Sequence, residues 1–400
     1  DKYRKLKLER DHDKIARGVK AIYKEIRVKV LESVIVRRTR TDIRNTPDYW
    51  QDIINQGVNF PDIVPPRQIL YELDEYTDNL YDKTLRILKK QSKELRYYRY
   101  QAIKFLIPEA KEAYQKATGV NPSQADRISD QLAHIMRILL VKRIDSSFHA
   151  FKMSLGRYYN ANRAMLKMIE NGTIYIAPKL KVSEFILDDN EAELEEILRN
   201  AEDTETINAY PVEDFHEEFI EGIKKDHETL SALKQEWDQV IKDPKYDTLV
   251  QKIKTELMKS DINDNHKLLI FSESKETTNH LKEKLKANGF TNILSVDSSN
   301  SKDLTTTIAE NFDANQPIAE QKNDYDIILT TEVLAEGVNL HRSNIILNYD
   351  IPWNATRLMQ RIGRVNRIGT ESTNIYIYNF FPTSRTDNEI ELNKKAYMKL

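Results

Sequence analysis

The chain has 400 residues, no cysteine, and 61 Lys and Arg against 63 Asp and Glu, a formal net charge of −2. That balance gives no whole-protein attraction to nucleic acid, so any such contact must come from local patches. The missing cysteines exclude disulfides, thiolate metal sites and cysteine nucleophiles. No apolar run approaches the ~18 residues of a membrane span and no signal peptide opens the chain, so we expect a cytoplasmic protein without a membrane partner. The chain starts and stops inside charged helical patterns, which we read as a piece of a longer protein. Its length suits roughly two to three domains.

Residues 1–32 read as a helix rich in Lys, Arg and Glu. Residues 44–66 read as loop, with Pro47, Gly57, Pro61, Pro65 and Pro66, and 67–74 alternate well enough for a short strand. From Leu80 to about Glu170 the pattern is helical. Residues 83–104 carry eight Lys or Arg against one acid, Glu94, with Tyr97, Tyr98 and Tyr100 between them. Such a surface suits phosphate tracking and base stacking, but a solvated face with tyrosines packed behind it is the favoured reading. Lys142 and Arg143 either reach a phosphate or flank a helix core. Residues 184–221 are strongly acidic, with few apolar anchors between Asp188 and Asp203, which predicts a loosely packed or mobile insertion of solvated charge.

From 266 onward strands and helices alternate. Lys267–Phe271, Ile293–Val296, Ile327–Leu329, Ile345–Leu347 and 374–381 read as strands, with helices over 275–288 and 304–312. Continuous apolar runs with polar C-terminal ends describe central parallel strands buried on both faces. The ligand crevice of such a sheet lies beyond those ends. Ser272 or Ser274 caps the following helix, and its free amides suit a phosphate. In the next helical segment, Gln360, Arg364 and Arg367 fall within an arc of roughly 60° at about 100° per residue. Leu358, Ile362, Val365 and Ile368 lie on the other side. One face therefore buries while the other presents an amide and two guanidiniums, groups that match phosphate oxygens.

These residues carry a family resemblance. Gln360-Arg361-Ile362-Gly363-Arg364-Val365-Asn366-Arg367 resembles motif VI of superfamily 2 helicases, and the trailing Ile368-Gly369 is typical of the Swi2/Snf2 branch. Thr330-Thr331 through Ala335-Glu336-Gly337-Val338-Asn339-Leu340 resembles motif V of that branch. Asp350-Ile351-Pro352-Trp353-Asn354 resembles its D-x-x-W-N-P segment, with Ala355 in place of the final proline. Ser272-Glu273-Ser274 matches motif IV. Residues 34–43 resemble the exit from the first ATPase lobe, where Arg37 and Arg38 lie near the interlobe cleft. Residues 65–73 with Leu80-Tyr81, and later 243–249, resemble two openings of the second lobe. Residues 138–151 are similar to a helix of the bacterial RNA-polymerase-associated ATPases. At Asp297-Ser298-Ser299 the family has Asp-Gly-Ser, and Ser298 puts a tight backbone approach there in doubt.

The resemblance implies an α/β fold: a RecA-like parallel sheet with helices on both faces over 246–400, a large mostly helical insertion over 46–245 with the short strand inside it, and an interlobe helical segment over 1–45. It implies Arg364 and Arg367 as arginine fingers, with Gln360, Gly337 and Glu336 at the nucleotide. Ser272, Ser274, Ser298, Thr330, Thr331, Trp353 and Asn354 would face nucleic acid, which the resemblance makes duplex DNA. No glycine is followed by Lys and then Ser or Thr. ATP and Mg2+ would thus be held mainly by a separate N-terminal RecA-like lobe, and no metal by this chain. The expected function is the C-terminal half of an ATP-dependent, nucleic-acid-stimulated Snf2-like motor, inactive by itself. The alternatives are an RNA-directed superfamily 2 helicase lobe and a non-catalytic module that docks a protein partner.

Overall fold

The computed structural model describes residues 12–31, 40–58, 60–89, 92–119, 121–176, 208–331, 334, 337–352 and 355–381. Residues 1–60 and 61–400 form separate compact units. In the first, α1 (His12–Ile26) continues into a π-helical turn (Arg27–Leu31), and two short helices follow, α2 (Arg40–Asn45) and α3 (Pro47–Asn55). The stretch expected as loop thus holds α3. Pro47 starts it, because at the first helical position its missing N–H has no intrahelical partner to lose. Arg37 and Arg38 lie outside the described residues.

The second unit is organised on a seven-stranded parallel sheet. Its strands are β1 (Asp62–Ile63), β2 (Arg67–Ile69), β5 (Leu268–Phe271), β6 (Ile293–Val296), β7 (Ile327–Thr330), β8 (Ile345–Asn348) and β9 (Asn374–Phe380), in the order β1-β9-β8-β5-β7-β6 with β2 also paired to β9. Side chains alternate across a strand, and both faces are covered. Leu268, Ile270, Ile327, Leu329, Ile345 and Leu347 pack beneath α9 (Pro244–Lys252) and α10 (Lys275–Ala287). Leu269, Phe271, Ile328 and Ile346 pack against α11 (Thr305–Phe312) and α12 (Ala355–Val365). The expected RecA-like sheet with helices on both faces is present. The short strand near 67–74 is not part of the insertion, however. It pairs in register with β9, and Ile69 and Tyr71 enter the core of the lobe.

After β2 the chain leaves the sheet for a helical module and returns at α9. The module holds α4 (Glu75–Leu88), a 3-10 segment (Tyr98–Phe105), α5 (Pro108–Thr118), α6 (Pro122–Ser146), α7 (Phe148–Glu170), the antiparallel ribbon β3 (Thr173–Ile176) and β4 (Asn208–Pro211), and α8 (Glu217–Asp238). Trp237 is fully buried at its centre, with edge-on Phe148 and Phe151 rings about it and its indole N–H donating to Thr84 Oγ1 at 2.8 Å. Asp226 on α8 accepts from the backbone N–H groups of Arg96 and Tyr98, both at 2.8 Å, and burial raises its carboxyl to about 6. The Tyr98 ring lies over Gly222, where an added Cβ would stand 2.5 Å from it.

The basic and aromatic stretch therefore follows the packing alternative, with Tyr97 and Tyr98 buried. Residues 208–221 depart from the expected loose insertion. Tyr210, Phe215 and Phe219 anchor them in an aromatic cluster. The rest of the acidic stretch, 184–207, lies outside the described residues.

Candidate functional site

The C-terminal tips of β5 and β8 are closed by the corner between α6 and α7. Asp350, just past β8, is nearly buried and gathers three donors. Ser146 Oγ donates to its Oδ2 at 2.5 Å, Ser272 Oγ to the same oxygen at 2.6 Å, and the Glu273 N–H to Oδ1 at 2.6 Å. Ser146 and Ser147 also share protons with Thr277 Oγ1 on α10, at 2.8 and 2.9 Å. Ser147 in addition caps α7, accepting from the Ala150 N–H. From the lobe side, buried Lys245 donates to the carbonyls of Asp145 and Ser146, at 2.5 and 2.8 Å, over the Tyr349 ring. Burial brings that ammonium down to about 8, against the pull of Asp350, Asp145 and Asp243.

Charge pairs close the same seam. Glu276 meets Arg143 at 3.4 Å and Arg157 at 3.0 Å. Burial pushes its carboxyl up, yet Arg143, its own backbone N–H and Arg157 outweigh this and hold it at about 2. Glu273 faces Lys142 on α6 and Arg357 on α12, each at 3.9 Å. Burial raises its carboxyl, opposed by Lys142, Arg361 and Arg357. Lys142 and Arg143, read from sequence as reaching a phosphate or flanking a core, are thus turned to carboxylates of the lobe.

His149 of α7 and His280 of α10 stack at 4.1 Å with planes 3° apart. Burial, the neighbouring His149 and Lys284 bring His280 down to about 4. A histidine depressed by folding contributes stability that is complete above its unfolded value near 6.5 and is lost as pH falls through the folded value. The wild-type chain is expected to lose about 1 kcal/mol, after solvent screening of a half-buried group, between pH 6.5 and 4.5 that His280→Gln does not lose. Urea midpoints of both proteins at the two pH values check this, and parallel losses would refute it.

Arg361 is the residue the sequence reading missed. It is fully buried on α12. Its Nη1 donates to Asn348 Oδ1 at 2.6 Å and to the Asp350 carbonyl at 3.3 Å, and its guanidinium stands 4.9 Å from the centre of the Phe271 ring. Burial brings it down to about 9, with Glu273 opposing, so it stays cationic at neutral pH. The wheel held a signal: at 100° per residue Arg361 falls on the side of Leu358 and Val365. Those two and Ile362 are buried as expected. Ile368 is not, because α12 ends at Val365 and Ile368 sits in the turn beyond, 56 % exposed.

Arg364 and Arg367 do not stand at the strand tips. A helix joining two parallel strands runs back against them, so its last turn returns to the edge where the strands begin. There the Arg364 carbonyl accepts from the Leu340 N–H at 3.0 Å and its Nη1 donates to the Val338 carbonyl at 3.4 Å. Both guanidinium residues are half-buried. Gly337 lies just ahead of this loop at φ +85°, in open space. Asp313, past the end of α11, holds the loop by accepting from Asn339 Nδ2 at 2.9 Å and standing 3.6 Å from His341 Nδ1. Burial lowers the His341 imidazole, with Asp313 opposing and Arg367 adding to the effect. Gly369, at φ +93°, fits against Asn315 and His341.

The expected site residues therefore separate. Gln360 and Arg364 belong to α12, Arg367 to the turn after it, and Gly337 to the loop leading into β8. Ser272, Ser274 and Thr330 belong to the tips but are buried, which corrects the expectation that their hydroxyls face nucleic acid. Ser272 donates to Asp350, Ser274 caps α10 by accepting from the Thr277 N–H, and Thr330 donates to the Thr331 carbonyl. Ser298 is exposed and Thr331 half-exposed. The turn at Ser298 needs no glycine: its φ is not positive, and Asp297 and Asn300 brace it, Asn300 Oδ1 accepting from the Asp297 N–H and Asp297 Oδ1 from the Ser299 N–H. Glu336, Trp353 and Asn354 lie outside the described residues.

A parallel sheet covered on both faces by helices, the last of which buries Arg361, is a RecA-like lobe. Residues 245–369 match the helicase conserved C-terminal domain, and with that match this part of the chain is the C-terminal lobe of a superfamily 2 helicase. Among curated proteins, an uncharacterized ATP-dependent helicase, YqhH of Bacillus subtilis, is 43% identical over 74 residues, 18% of this chain and 13% of that protein. The ATP-dependent RNA helicase FAL1 of Candida albicans is 27% identical over 157 residues, 38% of this chain and 35% of that one. The chain thus spans about a third or less of the length of these relatives. Among solved structures, the C-terminal part of the Fun30 ATPase domain aligns over 84% of this chain and 90% of its own, at 17% identity and a TM-score of 0.37. The Pyrococcus furiosus Hef helicase domain aligns over 86% and 59%, at 16% identity and a TM-score of 0.39.

Proposed function

We propose that this chain supplies the C-terminal half of the motor of an ATP-dependent, nucleic-acid-stimulated Snf2-like translocase. ATP and Mg2+ are held mainly by an N-terminal RecA-like lobe, and the bound nucleotide supplies the phosphoanhydride that is cleaved. Arg364 and Arg367 act as fingers on its γ-phosphate oxygens, Gln360 steadies them, and Gly337 with Glu336 lets the backbone approach the nucleotide. The observation that supports this reading is the division of labour on α12 and the turn after it. Arg361 is consumed inside the lobe, whereas Arg364 and Arg367 stay half-exposed beside the Gly337 loop. In this arrangement the partner lobe presents its nucleotide to the edge where the strands begin. Nucleic acid runs over the opposite edge, at the open tips of β6 and β7, where Lys275, Ser298 and Thr331 are accessible. The resemblance of their segment to the family assigns Trp353 and Asn354 a nucleic-acid contact as well. Contacts of this kind grip the backbone without reading sequence, which suits translocation.

Two features pull between DNA and RNA. The Ile368-Gly369, Trp353-Asn354 and Arg37-Arg38 segments favour the Snf2 branch and duplex DNA. The RNA helicase named among the relatives favours the RNA-directed reading. ATP turnover by the whole protein, measured with duplex DNA, with single-stranded RNA and with neither, separates them. Stimulation by duplex DNA is expected. Stimulation by RNA alone would replace the Snf2-like reading, and no turnover under any condition would leave the lobe as a docking module.

A further inference from the structure

We propose that the Lys142–Ser147 corner of the helical module is a positioning element for the arginine helix, acting on Arg361 through Asp350 and Glu273. The proposal rests on the functional reading above only for its consequence in turnover; its structural content stands without it.

The two sides of this seam meet on the carboxylates of Asp350, Glu273 and Glu276, on Thr277 and Lys245, and on the His149–His280 stack, and the first two of these carboxylates lead on to α12. Ser146 donates directly to Asp350, whose own carbonyl receives Arg361. Lys142 faces Glu273, which also faces Arg357 in the first turn of α12 and opposes the depression of Arg361. The module therefore touches α12 through groups that each answer to a cation of that helix. Arg361 is the buried pin that fixes the rotation of α12, and Arg364 follows it by three residues, one turn on. Each Asp350 oxygen has a defined donor, so losing the Ser146 hydroxyl leaves Oδ2 with Ser272 alone, in a site nearly closed to water. An under-satisfied buried carboxylate moves or recruits another donor. On α12 the donor placed to answer is Arg361, whose Nη1 already donates to the Asp350 backbone carbonyl at 3.3 Å, and its motion rotates the helix. An apolar corner would pack against α10 equally well without making these connections, and its serines would not need to reach Asp350.

The test uses Ser146→Ala and Lys142→Met, which remove a hydroxyl and a charge while keeping nearly all the packing volume. Amide hydrogen exchange of the 400-residue chain is the first readout. The proposal predicts that Ser146→Ala speeds exchange of the amides of residues 359–365 by about tenfold or more, with those of β6 and α11 and the urea midpoint nearly unchanged. In the whole protein, kcat for stimulated ATP turnover falls about tenfold while KM for ATP stays within about twofold. Lys142→Met acts in the same direction, and the double variant is no worse than the stronger single one, because both act through one helix. Unchanged exchange in 359–365 would overturn the proposal, as would a loosening spread evenly over the lobe, or fully additive effects of the two substitutions. A whole protein without turnover even as wild type would instead overturn the functional reading, and the exchange result would still decide the inference.

Discussion

Arg361→Ala is expected to destabilise the lobe by about 3–5 kcal/mol. The substitution removes a buried cation from Glu273, leaves Asn348 Oδ1 and the Asp350 carbonyl without their donor, and opens a cavity against Phe271. Asn348 is itself buried and passes its amide proton to Asn379 Oδ1 on β9 at 2.7 Å, so the damage reaches across three adjacent parts of the sheet. Arg361→Met, which refills the space without the charge, should cost less, about 1–3 kcal/mol, because part of the penalty of the alanine variant is the void. Urea denaturation of the chain at pH 7 measures both. A loss below about 1 kcal/mol for the alanine variant would show that the guanidinium is not the pin of this helix.

Three and six residues further on, the same substitution should have the opposite profile. Arg364→Ala and Arg367→Ala are expected to leave folding within about 1 kcal/mol of wild type, since both side chains are half-exposed, one in the last turn of α12 and the other in the turn after it. Their effect falls on turnover. A guanidinium aimed at the transferring phosphoryl group acts on charge that develops in the transition state, and fingers of this type are worth roughly 10³–10⁵ in rate. ATP binding, which the proposed function assigns mainly to an N-terminal lobe, should change little. The pair of outcomes is the useful one: neighbouring arginines of one motif, one measured in stability and two in rate.

How much of this was legible in the sequence depends on what kind of information each feature needs. The apolar runs Leu268–Phe271, Ile327–Thr330 and Ile345–Asn348 announced buried parallel strands because burial on both faces demands unbroken hydrophobicity. The apolar stripe Leu358, Ile362 and Val365 was equally plain. Arg361 was hidden by its type, since the wheel put a charge on the buried arc and a charge is ordinarily assigned to solvent. The edge on which Arg364 and Arg367 lie was not a matter of residue pattern at all. It follows from the direction of a crossover helix, and the strand-tip rule that located the crevice pointed to the other rim. The pairing of Lys142 and Arg143 with Glu273 and Glu276 links residues more than 130 positions apart, and nothing local specifies it. In residues 208–221 the acidic composition masked three aromatic anchors whose packing outweighs it.

The measurement that bears most directly on the central claim is steady-state ATP turnover of the whole protein on saturating duplex DNA, wild type beside Arg364→Ala and Arg367→Ala, with nucleotide affinity determined separately. Loss of about a thousandfold or more in kcat at near-constant affinity is the predicted result. Wild-type turnover in either variant would contradict it.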